Sequence, residues 1–162
     1  MSAVAAVEEW ADRWEDEDER PRILVVDDYD GMRILLGVKL HRLGFEPIAV
    51  ADAEEGLRVL SEVSVVGVVC DLELPGMDGL ELLRWLRAWG DGVPFVLVSG
   101  ELSAATARAA VESGAALAVG KPELIESLPR VLERASLLIR PRLSSGFNRV
   151  RIPRLAGSRF GV

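Results

Sequence analysis

Cysteine is nearly absent from this chain, and the single one, Cys70, leaves no partner for an intramolecular disulfide and no set of thiolates for a metal. Histidine is equally scarce. His41 is the only one, and its place beside Arg42 late in a helical stretch suits a surface or helix-end position better than catalysis. No apolar run reaches the length of a membrane span, and the N-terminus is acidic where a secretory leader would be basic. These absences favour a reduced, cytoplasmic setting and exclude disulfide scaffolds, thiolate metal sites and membrane-spanning designs of the usual kind.

What is present divides into a body and two charged ends. The 162 residues carry a formal charge of −7, unevenly placed. Residues 1–20 hold eight acids and two arginines, whereas residues 140–162 hold six arginines and no acid. Three segments follow: an acidic extension over 1–21, a single folded domain over 22–139 and an arginine-rich tail over 140–162. In the extension, Val4, Val7, Trp10 or Ala11, and Trp14 fall at helical spacing, which suits a short docking helix, against the plainer reading of a solvated acidic leader. The tail is too short for an output domain and reads as a flexible extension. It offers weak phosphate neutralisation toward nucleic acid, but no reading module accompanies it and the body is acidic, so nucleic acid is an unlikely partner. The acidic and basic ends could instead meet each other, within one chain or between two.

The body alternates between short apolar runs and amphipathic helices. Arg22 to Val26, Phe45 to Val50, Val65 to Cys70, Val93 to Val98 and Ala115 to Val119 read as strands. Between and after them, helices are expected over Asp30 to Leu43, Asp52 to Leu60, Asp78 to Trp89, Ser103 to Ser113 and Glu123 to Leu138, with a kink at Pro129. Right-handed crossovers then give an α/β, flavodoxin-like, doubly wound five-stranded parallel sheet of order 2-1-3-4-5 with five helices. Pro47 suits an edge position for the second strand. Cys70 reads as core filling, and Trp85 with Trp89, four residues apart, as a packing stripe.

In that topology the C-terminal ends of four strands share one rim and deliver Asp27 and Asp28, Asp71, Ser99 and Lys121. Carboxylates brought together repel, and a small hard divalent cation resolves the repulsion; Mg²⁺ is typical of such oxygen sites. A lysine and a hydroxyl beside it are groups that a phosphoryl anion needs. Taken singly, Asp27 or Asp28 could as well cap a helix, Asp71 begin a turn and Lys121 be a solvated loop residue.

The blocks ILVVDD (Ile23 to Asp28), DLELPGMDG (Asp71 to Gly79), VLVSG (Val96 to Gly100) and GKP (Gly120 to Pro122) resemble the signature blocks of the response regulator receiver domain of two-component signalling. The resemblance spans about Arg22 to Leu138, covers neither end and implies a phosphoacceptor rather than an enzyme; with a tail too short for an output domain, a stand-alone receiver is the leading expectation. Asp71 would take a phosphoryl group from a histidine kinase or phosphotransfer protein, and Asp27, Asp28, Asp71 and the backbone carbonyl of Glu73 would hold Mg²⁺. Lys121 would pair with the phosphoryl oxygens, Ser99 would hydrogen-bond to them, and the Lys121 to Pro122 bond is a candidate cis peptide. A surface of the fourth helix, fifth strand and fifth helix would speak to an unknown downstream protein or form a homodimer.

Three departures bear on mechanism. The family commonly has an aromatic residue three positions before its lysine, and this chain has Ala118, which implies weaker coupling or a different readout. Glu73 and Glu101 occupy positions that in the family influence hydrolysis of the acyl phosphate. A phosphorylation-independent scaffold module with an uncoupled switch is therefore the alternative reading. A flavin carrier of the same topology would need a hydroxyl-rich loop after the first strand, and DDYDG (Asp27 to Gly31) has the opposite charge.

Overall fold

The structure, a computed structural model, describes residues 20–137. The expectations for a helix through Trp10 and Trp14 and for the arginine tail lie outside the described residues. Elements follow in the order β1 (Arg22–Val26), α1 (Asp30–Arg42), β2 (Glu46–Val50), α2 (Ala53–Glu62), β3 (Gly67–Asp71), α3 (Gly79–Ala88), β4 (Phe95–Ser99), α4 (Ala104–Glu112), β5 (Leu117–Gly120), α5 (Lys121–Glu126) and α6 (Leu128–Arg134). The five strands are all parallel in the order β2-β1-β3-β4-β5.

The period of two within each strand builds a core on both faces of the sheet. Ile23, Val25, Val69, Val96, Val98 and Val119 point to one side, where Met32, Leu36 and Leu40 of α1 and Leu124, Leu128, Val131 and Leu132 of α5 and α6 close over them. Leu24, Val26, Val68, Cys70, Phe95 and Leu97 point to the other and meet Leu57, Leu82, Leu83, Leu86 and Ala110 from α2, α3 and α4. Two-sided burial explains why β3 and β4 are apolar up to their last residue rather than alternating. Pro47 lies in the edge strand β2, where its missing N–H costs no ladder bond to a second neighbour.

Helix starts are set by short polar side chains. Asp52 accepts a hydrogen bond from Glu55 N, Asp78 from Glu81 N and Ser103 from Thr106 N. Gly44 ends α1 with a φ of 88°, the left-handed region open to glycine. Asp78→Ala should cost about 1 kcal/mol, read as a lower urea midpoint at unchanged slope.

The last helix departs from its expected form. A single helix with a kink at Pro129 is replaced by two, so the described residues hold six helices rather than five. The break falls at Ser127, whose φ and ψ of −132° and 35° are not helical, and Pro129 opens the second helix in its first turn, where it forfeits no bond. The Lys121 to Pro122 bond is also not the cis peptide expected, since no cis peptide occurs among the described residues. Both residues instead begin α5, and proline is accommodated in a first turn with ordinary backbone geometry.

Candidate functional site

The strand order reverses between β1 and β3, and a crevice opens outside the carboxyl ends of strands at such a point. Asp27 follows the last residue of β1, and Asp71 is the last residue of β3. The register pairs Val26 with Cys70, so the two aspartates leave adjacent strands at the same level. Both are almost entirely buried, at 3% and 4% exposure, whereas Asp28 is exposed. Carboxylate oxygens of Asp27, Asp28 and Asp71 all lie within 4.8 Å of one another.

Lys121 enters from the far side of the sheet. β5 pairs with β4 so that Ser99 stands opposite Gly120, and the next residue is the lysine. Its Nζ lies 3.0 Å from Asp71 Oδ2 and 3.7 Å from Asp27 Oδ2. The solvated-loop reading of Lys121 therefore gives way to an ion pair with two buried carboxylates. Burial acts to lower the lysine pKa, but the hydrogen bond to Asp71 and the charges of Asp71, Asp27 and Asp28 outweigh it, and the value is raised above 10.5.

The acids are not spent on helix capping. Tyr29 is the N-cap of α1 and makes no side-chain cap bond. Asp27 Oδ1 accepts from Tyr29 N at 2.9 Å, and the Asp27 carbonyl accepts from Arg33 Nη1 at 2.7 Å, which fixes the chain just before the helix. Asp71 Oδ1 accepts from Glu73 N at 3.3 Å, so a turn-like bond does exist there, though a long one. Glu73 itself is exposed. Ser99, 1% exposed, lies one residue beyond Val98, the cross-strand neighbour of Asp71, and its hydroxyl donates to the Glu101 carbonyl at 3.1 Å. Thus Asp27, Asp28, Asp71 and Lys121 come together directly, while the Ser99 hydroxyl is held by its own loop.

Burial pushes the Asp27 carboxyl above its ordinary 3.8, with the Asp71 and Asp28 charges adding to it and Tyr29 N–H and Lys121 opposing. A raised acid means that the native state binds the proton more tightly than the unfolded one. The cost of the charged form is present in full above the folded pKa and relieved as pH falls through it. Asp27→Asn should accordingly stabilise the metal-free protein at neutral pH by about 1 kcal/mol, measured by urea unfolding. The gain should shrink as the pH is lowered through the raised folded-state pKa, where the wild-type carboxyl takes up its own proton.

Three oxygen donors of this charge, two of them buried and one open to water, fit a hard divalent cation that keeps part of its hydration shell. Thiolate chemistry plays no part here. Cys70 is fully buried, its Sγ donates to the Asp71 carbonyl at 3.2 Å, and burial raises its pKa well above 9.0.

One functional neighbour was not legible as such. Gly79 opens α3 against the site, and a Cβ there would lie 2.3 Å from the Asp71 carbonyl oxygen. The signal was available in DLELPGMDG, where Gly79 follows the capping Asp78, but only the packing of α3 on β3 gives it meaning. Ala118 is half-buried on the second core, opposite Leu97, and adds no ring to that layer. Trp85 and Trp89 stack obliquely with centroids 5.3 Å apart, Trp89 against the core and Trp85 exposed.

Comparison with known proteins agrees with this fold. The model of the response regulator receiver domain family matches residues 23–133. The chain is 40% identical over 123 residues to the regulatory protein VirG of Agrobacterium tumefaciens (strain 15955), covering 75% of this chain and 45% of VirG. It is 37% identical over 103 residues to the DNA-binding response regulator MtrA of Mycolicibacterium smegmatis, covering 64% of this chain and 45% of MtrA. The match thus spans less than half the length of these curated relatives. Among solved structures, the chemotaxis response regulator CheY4 of Vibrio cholerae superposes with a TM-score of 0.66 over 72% of this chain and 98% of its own, at 24% identity, a likeness of fold.

Proposed function

Because the chain belongs to the response regulator receiver domain family, we propose that Asp71 accepts a phosphoryl group from a histidine kinase or phosphotransfer protein and that the domain then signals by binding another protein. The observation that carries this reading is the meeting of residues 27, 28, 71 and 121 at one rim, with Lys121 Nζ 3.0 Å from Asp71 Oδ2.

Asp27, Asp28, Asp71 and the Glu73 carbonyl would hold Mg²⁺. When bound, the ion supplies the positive charge that the carboxylates and an incoming phosphoryl group require. The chain's own residues do the rest. Asp71 attacks phosphorus in line as the donor's N–P bond breaks, leaving an acyl phosphate on Asp71 and returning the bonding pair to the donor nitrogen. Lys121, already paired with the nucleophile, moves its charge onto a phosphoryl oxygen. Ser99 can donate to that anion only by giving up its bond to the Glu101 carbonyl, which couples the phosphorylated state to the loop between β4 and α4. The face of α4, β5 and α5 would carry that change to a downstream protein or a second copy.

The phosphoryl-transfer chemistry is self-catalysed, in a signalling domain and not a classical enzyme. No described helix is long and apolar enough to cross a membrane. Separately, and on the family alone, a cytoplasmic setting is proposed. Incubation with acetyl phosphate and Mg²⁺ should add one phosphoryl group by intact mass; an unchanged mass would remove the reading.

A second reading, the scaffold with an uncoupled switch, rests on Ala118. A methyl in place of a ring cannot fill space that Ser99 and its loop vacate. On that reading, capture of the partner would be the same for the wild type and Asp71→Asn, and on the first it would differ.

A further inference from the structure

Helix α1 is apolar on two sides. Met32, Leu36 and Leu40 are buried in the core, while Ile34 and Val38, one turn apart on the outer side, are 68% and 46% exposed. A helix with one face on a sheet ordinarily turns polar residues outward, whereas here two aliphatics one turn apart face outward. The last turn beside them is basic, with Lys39, His41 and Arg42.

The attachment of residues 1–19 is on the same helix. Arg20 lies against the His41 ring, its Nη1 3.1 Å from Nδ1, so the extension joins the domain beside the final turn of α1. Arg20 Nε is shielded from solvent and has no hydrogen-bond partner among the described residues, a buried donor that calls for an acceptor. The extension supplies acceptors in its eight acids and apolar surface in Val4, Val7, Trp10 and Trp14. Reach is ample: from His41 back to Ile34 is about 10 Å along the helix, and even a fully helical 19-residue segment spans about 28 Å.

We propose that residues 1–19 fold back over the outer face of α1, with Trp10 and Trp14 on Ile34 and Val38 and the acids against Lys39, His41, Arg42 and Arg20. The arginine-rich tail is the wrong sign for this face, since the last turn of α1 would repel it. The cover flanks the site, because α1 begins two residues beyond Asp28. It stands independently of the phosphoacceptor reading.

Thiol accessibility tests it in the full-length protein, where the buried Cys70 gives a low background. Val38→Cys places a thiol under the cover, and Val111→Cys on α4, 58% exposed in the parent, places one far from it. Adding Trp10→Glu and Trp14→Glu should speed maleimide labelling at position 38 by about tenfold, the ratio expected for a local concentration of about 1 mM against an affinity of about 0.1 mM. Labelling at position 111 should not change, and 1 M salt should act in the same direction as the double substitution. Ile34→Cys repeats the measurement one turn away. Equal labelling with and without the tryptophans overturns the proposal. Protection that disappears on dilution, or that is lost only when the six tail arginines are changed to Gln, also overturns it by placing a second copy or the tail on the face.

Discussion

Asp71→Asn should leave the protein folded and lower phosphoryl incorporation by at least about a hundredfold, to background, under acetyl phosphate and Mg²⁺. The amide is nearly isosteric and its oxygen can still accept from Glu73 N, now 3.3 Å from Asp71 Oδ1. It has no anionic oxygen to attack phosphorus and offers Lys121 no charge. Lys121 keeps the more distant Asp27 at 3.7 Å, so the half-buried cation is not orphaned and the fold survives. Intact mass spectrometry reads the loss, and circular dichroism confirms that the variant is native. Equal incorporation by the variant would move the acceptor elsewhere in the chain and refute the assignment of Asp71.

Gly79→Ala should destabilise the protein by about 3 kcal/mol and lower its melting temperature by about 10 °C. The added Cβ would stand 2.3 Å from the Asp71 carbonyl oxygen, 2.9 Å from Leu97 Cδ1 and 3.0 Å from the Asp71 carbonyl carbon. Leu97 can yield, but the carbonyl belongs to the last residue of β3 and is held by the sheet. Relief requires moving the start of α3 or the nucleophile's backbone, so acyl phosphate formation should slow along with the loss of stability. Gly92→Ala is the control: nothing lies within 4 Å of its Cβ, and the change should be neutral. Equal stability of the two variants would mean that α3 does not press on the site as closely as described.

The elements most legible in the sequence were those governed by local rules. The strands ending at Val26 and near Asp71, Ser99 and Gly120 show themselves as apolar runs meeting a polar residue. Asp52, Asp78 and Ser103 announce their helices because an N-cap bond spans only three residues. Where local rules conflict with packing, packing prevailed. Pro129 suggested a kink, yet the helix breaks two residues earlier, because α5 and α6 each have their own leucines to bury. Arg87 gave no signal at all. Its guanidinium donates to the carbonyls of Asp91, Val93 and Gly114, tying the end of α3 to two loops, and burial lowers its pKa.

The amino-acid order alone settled which residues could carry the chemistry and on which strand ends they stand, because hydrophobic period and turn residues act over a few positions. That the Lys121 ammonium reaches Asp71 from two strands away and Asp27 from three, and that the Ser99 hydroxyl is tied to Glu101, were decided only in three dimensions. Those contacts join residues up to 94 positions apart in the chain. Strand order, crossover hand and register bring the lysine and the two carboxylates together, and no stretch of sequence short enough to have a pattern contains all three.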